Sequence, residues 1–193
     1  MGGLSFPNLT ADPLTGVLGF KGGGGSSLFD ERSLTAIAAD IIFGNIPQHF
    51  RAILLKFRLR GDNAADQNLL VQFNGDVTAL YDQQVLTINN ITATAVGAAA
   101  GTSIKAALIP GTGSPANVWA HGEVEVPSYN LKTNRKPLFS RGYHENAETA
   151  AGQNYLIDSG LWRTFASPIT SIRLLPAAGN FIIGSSVQAL GLY

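Results

Sequence analysis

Residues 46–76 read IPQHFRAILLKFRLRGDNAADQNLLVQFNGD, and the pattern within them decides the fold. Ile53, Leu55, Phe57 and Leu59 alternate with Lys56, Arg58 and Arg60, a period of two that gives an extended strand one apolar and one basic face. The basic side chains are expected on a solvated or intersubunit sheet face. After the polar turn Gly61-Asp62-Asn63 a second apolar run, Leu69 to Phe73, reads as another strand. Asn74-Gly75-Asp76 closes it with residues that tolerate positive φ. Nothing in the stretch has the residue types of a catalytic motif. It announces a β-sheet scaffold.

The same signal continues on both sides. Apolar runs suited to strands recur at Leu34 to Phe43, Gln84 to Ala95, Ser103 to Ile109, Val118 to Tyr129, Pro137 to Tyr143, Tyr155 to Phe165, Ile169 to Leu175 and Val187 to Leu192. Gly44-Asn45, Gly111-Thr112-Gly113 and Ala178-Gly179-Asn180 supply turns. Short helical turns are expected only near Ile46-Pro47-Gln48 and from Val77 to Tyr81. Gly97 to Gly101, GAAAG, reads as a hairpin tip, and Gly142 to Asn154 as a surface loop. The pattern predicts an all-β protein with two packed sheets and no internal repeat.

Residues 1–32 differ. Pro7, Pro13, Gly16 and Gly19 interrupt short apolar pairs, and Gly22 to Gly25 with Ser26-Ser27 form a hinge-like tract. Leu4, Phe6, Leu9, Leu14, Val17, Leu18 and Phe20 are nevertheless too apolar for a solvated tail. The expected organisation is an extended N-terminal arm, 1–32, that docks on a neighbour, followed by a β-sandwich domain, 33–193. The competing reading is a passive linker, or an arm folded back on its own domain.

With 193 residues, the chain has enough length for a body of about 160 residues to bury roughly 70% of its unfolded surface. Charged residues are 13% of the chain, 13 basic against 13 acidic. So neutral a surface favours burial between subunits over solvation as a monomer. It argues against duplex nucleic acid, which needs clustered Lys and Arg. The chain has no cysteine, which removes disulfides, thiol catalysis and thiolate metal sites. No window reads as a membrane span or signal peptide, so no membrane partner is expected.

The candidate sites are sparse. His49, His121 and His144 have no partner at a metal-ligand spacing except His144-Glu145, whose side chains point to opposite faces of a strand. Glu123 and Glu125 share a strand face about 7 Å apart, within the range of paired glycosidase carboxylates, but alternation with Val124 and Val126 favours an exposed sheet face. Neither a nucleophile elbow nor a phosphate loop occurs. Arg60-Gly61-Asp62 is read as strand running into turn, not as an integrin ligand. Among the aromatics Tyr81, Trp119, Tyr129, Tyr143, Tyr155 and Trp162, the residues Trp119, Tyr129 and Trp162 are candidates for glycan stacking or interface packing, and the apolar neighbours of Trp119 and Trp162 favour core or interface packing for those two. No catalytic, cofactor or metal site is predicted.

Several short motifs in order resemble a family of tailed-bacteriophage virion structural proteins: Ile46-Pro47-Gln48, Phe73-Asn74-Gly75-Asp76, Tyr81, Ile109-Pro110-Gly111, Ala116-Asn117-Val118-Trp119, Val126-Pro127-Ser128-Tyr129 and a polar turn at Asn130 to Lys136. Gly160-Leu161-Trp162-Arg163, Ile169-Thr170-Ser171-Ile172 and Gly179-Asn180-Phe181 continue it over residues 34–193. The chain ends Leu190-Gly191-Leu192-Tyr193 where the family pattern has Leu-Tyr-Gly. The resemblance implies a jelly-roll-like β-sandwich, present in several copies in the virion and assembled in the bacterial host cytoplasm, without enzymatic role or cofactor. A trimer is implied by fold analogy. The expected function is capsid decoration or cement, the arm docking on major capsid protein. A tail, collar or fibre component, with host-surface glycans as a ligand, is the alternative.

Overall fold

The computed structural model describes residues 9–11, 18–20, 25–89, 92–145 and 153–193. Its strands are β1 (Leu9–Ala11), β2 (Leu18–Phe20), β3 (Ser26–Ser33), β4 (Ile41–Phe43), β5 (Ala52–Leu59), β6 (Gln67–Phe73) and β7 (Tyr81–Asn89). They continue with β8 (Thr92–Gly101), β9 (Ile104–Ile109), β10 (Ala120–Pro127), β11 (Lys136–Glu145), β12 (Gln153–Trp162), β13 (Ile172–Pro176) and β14 (Ser186–Leu192). One sheet runs β3-β14-β5-β10-β11-β12-β7-β8 and a second β4-β13-β6-β9, every pairing antiparallel. Strands β1 and β2 pair only with each other, Thr10 opposite Gly19. The architecture is an all-β sandwich, as the alternation predicts.

Strand β5 lies between β14 and β10 and turns Ile53, Leu55, Phe57 and Leu59 inward, all buried. Each such side chain contributes about 1.5–3 kcal/mol by leaving water. The second sheet meets them with Leu69, Val71 and Phe73 from β6 and with Ile172 and Leu174 from β13. Glycines on the inner face let β9 come close. A Cβ on Gly142 would lie 2.6 Å from the Ala107 methyl, and one on Gly160 within 2.7 Å of two Ile104 carbons. Phe50 fills the place of a side chain at Gly191, with ring atoms 2.2 Å from where its Cβ would be.

Several expectations are corrected. Residues 26–32, placed in the arm by composition, form β3 together with Ser33 and pair with β14, so the sandwich begins at Ser26 rather than at 33. Of Leu34 to Phe43 only Ile41–Phe43 is a strand; the preceding residues follow β14 and its approach through single contacts such as Ala38 N–H to Phe181 O, 3.1 Å. Gln84 to Ala95 is not one strand but parts of β7 and β8, folded on each other with Asn89 opposite Thr92. Gly97 to Gly101 is the end of β8 rather than a hairpin tip. The loop expected over Gly142 to Asn154 is narrower, because His144 pairs with Asn154 and Glu145 with Gln153. Lys136 belongs to β11, fully buried, rather than to a polar turn. The segments Ile46-Pro47-Gln48 and Val77 to Leu80 are bends without helix.

Candidate functional site

Several of the collinear motifs are tied to one another by hydrogen bonds between loops. Asn74 and Gly75 have φ of 53° and 68°, and Asp76 N–H returns to Phe73 O at 2.9 Å, a tight turn with both central residues left-handed. The Asn74 side chain then accepts from the Thr170 and Ser171 amides at 2.8 and 3.0 Å and donates to Pro168 O at 2.8 Å. Asp76 accepts the Trp162 indole N–H at 2.7 Å and the Thr78 amide at 2.8 Å. Burial pushes the Asp76 carboxyl up, but these bonds outweigh it and hold the group below its ordinary range. The Tyr81 hydroxyl takes the Phe73 N–H and gives its proton to Asp76 O, both at 3.0 Å, and burial raises its pKa to about 12. Gln48 donates to Ile46 O and Ile169 O at 2.8 and 2.9 Å, and the Tyr129 hydroxyl donates to Pro47 O. These residues hold loops together.

A second knot surrounds Arg60, which alternation places on the basic outer face. It is instead 4% exposed, and its guanidinium donates to the carbonyls of Val118, Gly111 and Ser114 at 2.8, 3.0 and 2.7 Å, and to that of Pro115. Five donors in a planar fork suit a loop that turns several carbonyls to one point. Asp62 accepts from the Asn180 amide and side chain at 2.7 and 2.8 Å, bonds that lower its pKa. Both charges of Arg60-Gly61-Asp62 are thus used internally. Asp66 receives the Gly111 amide and the Ser114 hydroxyl, each at 3.3 Å, and buried His144 through Nε2 at 3.0 Å. Burial raises the Asp66 pKa, and the His144 hydrogen bond and charge more than reverse it.

Between the sheets, Asp158 on β12 is 1% exposed, and neither carboxylate oxygen has a hydrogen-bond partner. Its cross-strand neighbour Ser140 is buried with an unpartnered hydroxyl. Burial pushes the Asp158 carboxyl up to about 7, against a weaker pull from the Ser159 and Gln84 amides, neither of which makes a well-formed bond, and from Lys105. Burial in turn lowers Lys105 and Lys136, the latter donating to Asn134 O at 2.5 Å. Sequence reasoning missed Asp158; its place two residues from Leu156 on an alternating strand is the signal that puts it inside.

The aromatic candidates divide between packing and exposure. Tyr129 and Trp162 are buried, Trp162 among Phe73 and Tyr81 with ring centroids 5.7 and 6.4 Å away, and neither offers a face to a glycan. Trp119 is half-buried under the Arg58 guanidinium, 3.8 Å from the ring centroid. Glu123 and Glu125 do face outward on β10, and Glu123 pairs with Arg141 at 2.7 Å.

The outer face of the large sheet is mixed in character. Its register lines up Lys56, Glu123, Arg141, Ile157, Leu86 and Ala95 in one cross-strand row. The next row is Arg58, His121, Tyr143, Tyr155, Ile88 and Ala93. Each row is charged over β5 and β10 and apolar or aromatic from β12 to β8. Phe139, Tyr143 and Ile157 are 50%, 40% and 42% exposed there. Where the halves meet, a shallow depression of about 390 Å³ is lined by Lys56, His121, Glu123, Arg141, Tyr143 and Tyr155 among others. His121 is lowered by burial and by Arg58. At the far side β8 is exposed on both faces over Thr92 to Ala100.

Of the arm residues, Leu4, Phe6, Leu14 and Val17 lie outside the described residues, and Leu9, Leu18 and Phe20 fall in the β1–β2 pair. Among the described residues no group of three or more His, Cys, Asp or Glu could hold a metal ion, and no helix is long and apolar enough to cross a membrane. No family model, curated protein or solved structure matches the chain.

Proposed function

We propose that the protein is a structural subunit of a tailed-bacteriophage particle, a decoration or cement protein that docks on major capsid subunits through residues 1–24 and stiffens the head through its sandwich. The observation that carries the reading is the outer sheet face, where two cross-strand rows turn apolar or aromatic from β12 to the open edge strand β8. Apolar surface of that extent is what an assembly covers. Ionisable groups that sequence inspection singles out support it from the other side: Glu123 is paired, and Arg60 and Asp62 are spent on loops.

The test is particle binding by a chain lacking residues 1–24, which keeps β3 whole. The truncated protein should remain folded and lose binding to undecorated heads. Undiminished binding would overturn the arm's role. Labelling intact virions separates shell from tail: a single polar focus would reassign the subunit to the tail, collar or a fibre.

A second reading, capture of a host-surface glycan, is favoured by the depression beside Tyr143 and Tyr155, where two rings adjoin Arg141, Glu123 and His121. Glycan-array binding that disappears in Tyr143→Ala would support it, and a blank array at high protein concentration would remove it.

A further inference from the structure

The two edges of the large sheet are built differently. At one, β3 carries Asp30, Glu31 and Arg32 within its eight residues, with an Asp30–Arg32 ion pair at 2.8 Å. Charges along an edge oppose addition of another strand. At the other, β8 reads TATAVGAAAG, ten residues with neither charge nor proline, and no residue from Gln83 to Ser103 is charged. Val96, opposite buried Val85 and so on the inner side, is still 58% exposed, because the second sheet stops short of β8. An edge this long and neutral presents a row of free amides and carbonyls to any strand that fits.

We propose that β8 pairs antiparallel with β8 of a second copy, joining two large sheets into one across a twofold axis perpendicular to them. A twofold contact must be self-complementary. An uncharged strand of small residues meets its own image without like-charge repulsion or steric conflict, whereas β3 against β3 would bring acidic residues together. The same operation places both outer faces on one side, so the apolar halves fuse into a continuous band.

The contact is small. Ten residues at about 3.4 Å each and an edge about 10 Å thick cover roughly 340 Å² per partner, against about 800 Å² in a standard interface. The pairing is therefore weak in free solution, and it rests on the structural-subunit reading only for the high local concentration that would make it effective on a particle.

The test uses the full chain in sedimentation equilibrium from about 10 μM to about 1 mM, with hydrogen exchange of the β8 amides at both ends of that range. The mass should rise toward a dimer and β8 protection should rise with it. Val96→Lys and Ala95→Lys, one on each face, should weaken association at least tenfold with the melting curve unchanged, and an equimolar mixture of Val96→Lys and Val96→Glu should associate more tightly than either alone. A monomer at every concentration with constant β8 exchange overturns the proposal. So does association that survives both lysine variants, or that is lost instead in Leu18→Lys/Phe20→Lys, which would assign the contact to the arm. Head binding by Val96→Lys reads the capsid role separately.

Discussion

Replacing Asp158 by Asn should make the protein more stable at pH 8, by about 4 kcal/mol, and change it far less, by about 1 kcal/mol, at pH 4.5. The carboxyl has a pKa of about 7 in the fold against 3.8 for the free group, so its acid form is the one the interior favours. Between those values the unfolded chain has released the proton while the folded chain keeps it. Stability then falls with rising pH by about 1.4 kcal/mol per pH unit. The penalty is absent below about pH 4, grows through the window and is complete above about pH 7, at about 4 kcal/mol over roughly three units. The amide in the Asp158→Asn protein cannot ionise and escapes this penalty. Urea unfolding of both proteins at pH 4.5, 6, 7 and 8 isolates it, because the lowered carboxylates of Asp62, Asp66 and Asp76, which act in the opposite direction, are common to both. Parallel stability curves for the two proteins would show that Asp158 is hydrated or paired in solution and refute the reasoning.

Three further outcomes follow from packing and hydrogen bonds. Arg60→Met should cost about 3–5 kcal/mol, since it strands several carbonyls of the 111–118 loop, and amide exchange in that loop should rise sharply. Trp162→Phe keeps the ring but loses the N–H to Asp76, for about 1–3 kcal/mol, with the Asp76 carboxyl moving toward its ordinary pKa by NMR titration. Gly142→Ala forces a methyl against Ala107 and should cost about 1–3 kcal/mol in thermal unfolding, whereas Gly44→Ala, with open space around it, should be close to neutral.

Alternation is legible wherever one side of a strand is buried and the other wet. Residues 53–59 of β5 and Val187 and Ala189 of β14 follow it. It fails at β8, whose residues are exposed on both faces, so that Gly97 to Gly101 carries no burial pattern to read. It fails at Arg60 because β5 ends at Leu59, and the next side chain is placed by the 111–118 loop rather than by the pleat. The break between β7 and β8 is hidden because the Asn89-Asn90 pair is flanked by the β-formers Thr87-Ile88 and Ile91-Thr92. Packing of Trp162 is legible beside Leu161, but neither its neighbourhood nor that of Tyr129 discloses Asp76 and Pro47, their hydrogen-bond partners 86 and 82 positions away. The short motifs point to the right places, and what they mark is the fastening of loops.

Strand β14 lies between β3 and β5, far from both in sequence. On a translating ribosome, β5 can pair with β10 once residue 127 is out, but its other flank stays bare until residues 186–192 emerge. Residues 26 to 192 must all be synthesised before the sheet can close, and through that interval one flank of β5 stays open to wrong partners.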